Sequence, residues 1–231
     1  RFLPLEDFFQ DRFIRNPEDW GDRLLPRLED FLTDAVHQRR PLTLCLAAHA
    51  TLAFATGYFF HTKEEAPLTL LQMTGGRAFR WSAGVGSVPD GPLWQDFVEV
   101  PLDPDARDVA VAVEITQPTS TAVEAYLKKS GMSVGRLVRA RIAGEPGKAR
   151  VESGAHAFQM ASQLHQWLKD HTGDLGRRRL HLFIAAPNGF VFFLGQLARS
   201  LGPLSLYEYD LEILKHGTYE RSLELKRLVG E

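Results

Sequence analysis

Short apolar runs alternate along the chain with segments in which apolar residues recur every three or four positions. The runs are typical of buried strands, and the spaced segments are typical of helices that bury one face. We predict strands at 42–48, 68–73, 78–81, 97–100, 109–115, 137–142 and from residue 180 onward, and helices at 50–60, 121–129 and 155–169. Strands that alternate with helices in this way predict an α/β fold with parallel, doubly wound sheets.

One strand–helix–strand segment occurs twice. Placing Leu42 on Leu180 aligns 19 residues with six identities and no gap, and the helical stripes coincide. After a loop that is two residues shorter, Pro67-Leu-Thr-Leu70 aligns with Pro203-Leu-Ser-Leu206. The repeat therefore predicts two fused Rossmann-like halves. A general likeness between any two buried strand–helix–strand units is the alternative explanation.

The repeat suggests how the chain is organised. We expect one half at about 41–150 and the other at about 151–231, related by a pseudo-two-fold axis. Before them, 1–40 is rich in charged residues and carries two apolar stripes, from which we predict N-terminal helices that form a connector. The stripes consist of Phe8, Phe9, Phe13 and Ile14, and of Leu24, Leu25, Leu28, Phe31, Leu32 and Val36. Because the chain begins with Arg1 rather than methionine, we expect it to be part of a longer protein.

The turns that follow the repeated first strands predict a ligand pocket. In open α/β sheets, ligands bind beyond the carboxyl ends of the strands, where helix N-termini present free N–H groups. The turn from His49 to Thr51 and the turn from Pro187 to Phe190 would line one pocket for an anionic ligand. In the second turn, Asn188 is a helix cap and Gly189 lets a ligand approach the backbone closely.

Composition and charge narrow the possible functions. The chain has 231 residues, of which 44% are hydrophobic and 24% charged, as in ordinary globular proteins. The formal net charge is −2, so we do not expect this segment to bind a nucleic-acid polymer. The single cysteine, Cys45, fits a reducing cytoplasm. No apolar run approaches the roughly 18 residues of a spanning helix, so we expect no membrane association.

The second half of the chain resembles a known family. The stretch "HLFIAAPNGFVFFLGQL", the strand end "YEYD" and the later "GTYERSLEL" resemble the SAVED domain of bacterial anti-phage signalling systems of the CBASS type. The resemblance covers about 41–225 and includes the repeat, because SAVED domains consist of two fused CARF-like halves. The resemblance therefore implies the same fold as the repeat.

The resemblance also implies a function. SAVED domains sense cyclic oligonucleotides made by a partner nucleotidyltransferase, and binding drives self-association that activates a fused effector. From the family, we expect the effector to be an HNH nuclease outside this chain. We also expect a cyclic dinucleotide with a mixed 3′,2′ linkage, such as 3′,2′-cGAMP, with a trinucleotide as the alternative.

Twelve residues are candidates for ligand binding under this reading. The aromatic residues would stack on bases, the arginines would bind phosphates, Thr116 and Gln117 would contact base edges, and Asp210 would accept hydrogen bonds from a guanine. The alternatives are core packing for the aromatic residues, solvated arginines, an ordinary helix cap at the polar turn, and a carboxylate that orients a neighbour. The twelve are His49, Thr51, Arg77, Arg80, Trp81, Thr116, Gln117, Asn188, Gly189, Phe190, Tyr209 and Asp210.

The sequence carries no familiar metal-binding motif and no phosphate loop. It contains no His-Glu-x-x-His pair and no Gly-Lys-Ser/Thr. We therefore predict a sensor without catalytic residues, metal or cofactor. Two alternatives stay open: a CARF-like ring nuclease in which His49 is an acid or base, and a purely structural interaction module.

Overall fold

The computed structural model describes residues 2–11, 13–38, 40–60, 67–147, 150–173, 178–209 and 218–226. The strands are β1 (Phe9–Gln10), β2 (Phe13–Ile14), β3 (Leu42–Cys45), β4 (Leu68–Thr74), β5 (Arg77–Trp81), β6 (Trp94–Pro101), β7 (Val109–Glu114), β8 (Arg136–Ile142), β9 (Leu180–Ala185), β10 (Leu204–Tyr209) and β11 (Tyr219–Leu225). The α-helices are α1 (Leu25–His37), α2 (Ala50–Phe59), α3 (Ser120–Ser130), α4 (Gly154–His171) and α5 (Asn188–Leu197).

The strands form two main sheets. The larger has the order β11-β10-β9-β7-β8-β6, in which β10, β9, β7 and β8 are parallel and the two edge strands are antiparallel. The smaller has the order β3-β4-β5, with β3 and β4 parallel and β5 antiparallel. One apolar core contains residues of both sheets, and a second, smaller core lies under α3.

The centre of the molecule is the crossing of α2 and α5, two helices that are apolar on all sides. A helix without a polar face is buried around its circumference, and both helices are buried along most of their length. At the crossing, a Cβ on Gly57 would overlap the backbone carbonyl of Phe192, and a Cβ on Gly195 would overlap that of Phe54. The two backbones are therefore in direct contact.

This crossing is symmetric under the sequence repeat. The repeat aligns Gly57 with Gly195 and Phe54 with Phe192. Each glycine thus meets the phenylalanine of the other helix, and the same contact occurs twice with the helices exchanged. Reciprocal contacts between repeat-related residues are what a two-fold axis between the helices produces.

The strands beside the two helices follow the same symmetry. The N–H of Leu42 donates to the carbonyl of Pro67 at 2.9 Å, and the N–H of Leu180 donates to the carbonyl of Pro203 at 3.0 Å. In each half the first strand pairs in parallel with the second, and the second pairs in antiparallel with a third. The predicted α/β fold with two related halves is confirmed.

The two sheets divide the chain at a different place from the boundary expected near residue 150, which stays a prediction. Strands β6 to β8, within 94–142, belong to the same sheet as β9 to β11, because β7 pairs with β9 along its whole length. The repeat unit in the first half is β3-α2-β4-β5 alone. The chain passes from the small sheet to the large one between β5 and β6, and the large sheet therefore contains three strands that have no counterpart in the small one.

The prediction of helices over 1–40 is correct only for its second part. Most of the stripe that begins at Leu24 lies on α1, whereas Phe9, Phe13 and Ile14 lie on the short hairpin β1–β2 and Phe8 directly precedes it. Between these two strands Asp11 has a φ of 55°, in the left-handed region used by tight turns. A hairpin and a helix can both align these apolar residues, and the turn favours the hairpin.

Replacing Gly57 with alanine should destabilise the fold. The new methyl group would overlap the backbone of Phe192, and overpacking of this kind costs about 1–3 kcal/mol. The control is Gly84→Ala, because a Cβ at Gly84 meets nothing within 4 Å. Urea unfolding of both variants measures the difference. Equal stability of the two would contradict the backbone contact at the crossing.

Candidate functional site

The turns that follow β3 and β9 are joined by one side chain. The side-chain amide of Asn188 donates hydrogen bonds to the carbonyl of Leu46 at 2.7 Å and to the carbonyl of Ala48 at 2.8 Å. Sequence reasoning expected Asn188 to cap its own helix, but it binds the turn of the other half instead. The two carboxyl-end turns therefore meet, and we call this place the junction.

The first turns of α2 and α5 are capped across the junction. The N–H of Thr51 donates to the carboxylate of Glu208 on β10 at 2.6 Å, and the N–H of Gly189 donates to the side-chain oxygen of Gln72 on β4 at 2.9 Å. Glu208 and Gln72 occupy equivalent positions in the repeat, as do Thr51 and Gly189. Each helix start is thus capped by the second strand of the other half.

These caps correct the expectation that the helix starts present free N–H groups to a ligand. The amides of Thr51 and Gly189 are already bound, and Thr51 is buried. A carboxylate at a helix N-terminus is also stabilised by the helix dipole. Any ligand at the junction must therefore be recognised by side chains that extend beyond the caps.

His49 connects the junction to the N-terminal segment. Its Nδ1 lies 3.7 Å from a carboxylate oxygen of Glu208. Its ring stacks on Phe9 with centroids 4.6 Å apart and an interplanar angle of 18°, and meets Trp20 edge-on at 5.8 Å. The hairpin and the turn before α1 thus contact the residue that precedes α2.

Two aromatic residues predicted to stack on bases belong to the core. Phe190 has no exposed surface and Trp81 is 4% exposed, so neither presents a face to a ligand. A Cβ on Gly189 would lie 2.5 Å from the Trp81 ring. Gly189 is required for this packing and not, as expected, for the approach of a ligand.

An aromatic residue that sequence reasoning missed is exposed beside the junction. Phe79 is 46% exposed and pairs with Gln72, whose side chain faces α5. Residues directly opposite in an antiparallel pair share a face, so Phe79 lies on the junction side of the hairpin. Arg77 shares this face and is exposed, whereas Arg80 lies on the opposite face. The period-two alternation along β5 is the signal that could have separated them.

The turn after β7 adjoins the turn after β9. The N–H of Thr116 donates to the carbonyl of Ala185 at 2.9 Å, and Gln117 is exposed. The following helix start is capped by Glu114, which accepts from the N–H of Ser120 at 2.7 Å. The capping role considered for this polar turn therefore belongs to Glu114, and Gln117 extends into solvent at the same sheet edge as Asn188.

Two further candidates, Tyr209 and Asp210, are not among the described residues at the junction. Glu208 faces the junction, so its neighbour Tyr209 lies on the other face of β10, where it packs edge-on against Tyr219 at 5.0 Å. Asp210 lies outside the described residues. The residues that the structure does bring to the junction form what we call the junction site: His49, Arg77, Phe79, Thr116, Gln117 and Asn188.

The junction site has the chemistry for an anionic aromatic ligand. It combines a guanidinium group, an exposed phenyl ring and two side-chain amides. Among the described residues no group of three or more His, Cys, Asp or Glu could hold a metal ion, and no helix is long and apolar enough to cross a membrane. A cavity of about 540 Å3 lined by Arg136 and Thr172 lies at the opposite edge of the large sheet, away from the carboxyl ends where such sheets bind ligands.

Comparison with known families identifies the chain. The family model described as "SAVED: SMODS-associated and fused to various effectors sensor domain" matches residues 24–225. The chain belongs to the SAVED family. The match begins at residue 24 and therefore includes α1, which sequence reasoning had assigned to a connector.

Relatives of this SAVED chain are longer than the chain itself. It is 29% identical over 225 residues to CD-NTase-associated protein 4 of Enterobacter hormaechei subsp. hoffmannii, and the alignment covers 96% of this chain and 44% of that protein. The chain therefore spans less than half of that relative.

Solved SAVED/CARF-domain Cap4 receptors share the fold. The receptor of Acinetobacter baumannii with the cyclic trinucleotide 3′3′3′-cAAA has 18% identity and a TM-score of 0.66, and the match covers 96% of this chain and 47% of that chain. The same receptor with 2′3′3′-cAAA has 19% identity and a TM-score of 0.67, over 96% and 46%. The receptor of Moraxella osloensis has 18% identity and a TM-score of 0.65, over 96% and 45%.

Removing the Glu208 carboxylate should test the cross-junction cap. Glu208→Ala leaves the buried N–H of Thr51 without its acceptor, which costs about 1–3 kcal/mol, whereas Glu208→Gln retains an oxygen there. We expect the alanine variant to lose clearly more unfolding free energy than the glutamine variant in urea titrations. Equal losses would show that the cap to Thr51 contributes nothing to stability.

Proposed function

We propose that this SAVED chain binds a cyclic oligonucleotide, made by a partner nucleotidyltransferase, at the junction site. The observation that carries the proposal is the pair of hydrogen bonds from Asn188 to the turn after β3, which joins the carboxyl-end turns of the two halves. A ring of nucleotides presents repeated phosphates and bases, and a pseudo-symmetric junction can contact it from both halves at once.

Different side chains of the junction site bind different parts of the ligand. Arg77 binds a phosphate, and Phe79 stacks on a base. Both amide hydrogens of Asn188 are used within the protein, which leaves its carbonyl oxygen to accept a hydrogen bond from the ligand. Gln117 can donate to a base edge and accept from it. Net positive charge is not needed, since one guanidinium and several polar groups bind each phosphate locally.

The proposal includes both cyclic dinucleotides and cyclic trinucleotides as ligands. The family resemblance led us to expect a cyclic dinucleotide such as 3′,2′-cGAMP, and that preference stays a prediction. Two structures with the same fold were determined with cyclic tri-adenylates, which favours including a trinucleotide. Ring size and base identity are decided by the titration described below.

Ligand binding would be transmitted through His49 to the N-terminal segment. The ring of His49 is stacked on Phe9 and paired with Glu208, the cap of α2. A ligand that moves the turn before α2 must therefore move the hairpin as well. In the longer protein, which we expect to be cytoplasmic and to carry a fused effector such as an HNH nuclease, this hairpin would pass the signal on.

Self-association completes the proposal. We expect head-to-tail assembly of ligand-bound protomers, because unlike surfaces that meet can propagate a chain of subunits. The small sheet offers such a surface: its outer face exposes Met73, and β5 is an edge strand within it. Sensing without ligand hydrolysis is the function that we propose.

Titration calorimetry with cyclic di-, tri- and tetranucleotides tests this function. We expect sub-micromolar binding of at least one member. Phe79→Ala should weaken it by about 1–3 kcal/mol, the value of stacking on one base, and Arg77→Ala should weaken it as well. Arg80→Ala is the matched control, because it removes a guanidinium from the other face of the same strand.

Absence of binding to every member of the panel would contradict the proposed function. Equal losses from Arg77→Ala and Arg80→Ala would contradict the location of the site, because only one of the two arginines lies on the junction side. Chromatography of the ligand after incubation separates sensing from hydrolysis, and loss of the intact ligand would favour the ring nuclease.

A further inference from the structure

A small cavity adjoins the start of α4. It has a volume of about 240 Å3. Five of its eight lining residues are apolar, and the other three carry a guanidinium, a carboxylate and an imidazole. The lining residues are Pro89, Pro92, Leu93, Ile142, Ala143, Arg150, Glu152 and His156.

The cavity is built into the carboxyl-end edge of the large sheet. Ile142 is the last residue of β8, and the loop that follows β5 forms another side of the cavity with Pro89, Pro92 and Leu93. This loop is tied to the helix start: the hydroxyl of Ser153 donates to the carbonyl of Ser87 at 2.6 Å, and a Cβ on Gly86 would overlap Ser153. Strand β8 is two places from β9, so the cavity lies about 10 Å along the edge from Asn188.

His156 lacks a partner on one of its two ring nitrogens. Its Nδ1 accepts the N–H of Glu152 at 3.3 Å, which leaves the ring proton on Nε2. The side chain is 3% exposed, and Nε2 meets no hydrogen-bond partner among the described residues. Burial also lowers the pKa of His156, so the ring is a neutral donor near pH 7. A buried donor of this kind is costly unless something supplies an acceptor.

The cavity favours a neutral planar group over a phosphate. Arg150 and Glu152 carry opposite charges and the imidazole is neutral, so the lining has no net charge with which to attract an anion. One terminal nitrogen of Arg150 is already used by the carbonyl of Ala143, at 2.8 Å. The volume is below the roughly 300–1,000 Å3 of pockets that hold drug-sized ligands, which suits a single ring system.

We infer that this cavity holds one nucleobase of the bound cyclic oligonucleotide, with the Nε2–H of His156 donating to an acceptor on the base edge. The inference rests on the proposed function for the source of the base. It adds a base-recognition site on the α4 side of the edge, about two strand spacings from the junction.

The first test compares two histidines of the same helix. His156→Leu removes the unpartnered donor, so we expect a Tm at or above that of the wild type together with about tenfold weaker binding of the cyclic oligonucleotide. His165→Leu is the matched control, because His165 lies on the same helix, is half-buried and is hydrogen-bonded to Ser200. It should leave the affinity unchanged. Unchanged affinity in His156→Leu would overturn the inference.

The second test needs no variant and uses free purine nucleosides. In the wild-type chain with isotope-labelled histidine, millimolar adenosine or guanosine should shift the ring resonances of His156 by NMR and leave those of His165 in place. The cyclic oligonucleotide should produce the same shift at stoichiometric concentration.

The outcomes separate this inference from the proposed function. If a cyclic oligonucleotide binds while the His156 ring resonances stay unmoved, the base site is wrong and the proposed function stands. If nucleosides shift His156 but no cyclic oligonucleotide binds, the cavity accepts a base and the proposed function fails. If neither probe binds, both are wrong.

Discussion

The structure depends on the close contact between the backbones of α2 and α5. Gly57 and Gly195 each leave room for a carbonyl of the other helix, so the helices cross with nothing between them. Any larger residue at either glycine would separate the halves. The contact sets how far apart the two helix starts lie, and therefore whether Glu208 and Gln72 can cap them from the opposite strands. Without it, the amide of Asn188 would not reach the turn of the other half.

This arrangement decides which groups are left for a ligand. Capping by the opposite half occupies N–H groups that a lone Rossmann-like unit would present to a phosphate. A ligand at the junction would therefore be bound by side chains that extend beyond the caps. The two caps also differ, since one is a carboxylate and the other an amide. The carboxylate lies 3.7 Å from Nδ1 of His49, and the ring of His49 stacks on Phe9 of the N-terminal hairpin. Among the described residues, the asymmetry thus links one half of a nearly symmetric site to the N-terminal hairpin.

The sequence predicted the fold better than the site. Apolar periodicity predicted most of the elements, because it is local in the chain, and the repeat predicted the two halves, whereas the hairpin β1–β2 was predicted as helix. The pairing of β7 with β9 could not be predicted in the same way, because it joins strands that lie far apart in the chain. Trp81 and Phe190 were predicted to stack on bases but are buried. The surrounding sequence of an aromatic residue at a turn is the same whether its ring faces solvent or the core. Glu208 and Gln72 were missed because their partners lie more than a hundred residues away.

The most direct measurement is a crystal structure of this chain with whichever cyclic oligonucleotide binds most tightly. The account predicts that the ligand contacts both carboxyl-end turns, with atoms within hydrogen-bond distance of Ala48 or His49 in one half and of Asn188 in the other. A ligand bound at the opposite edge of the large sheet, beside Arg136 and Thr172, would contradict it. So would a ligand that contacts one half alone.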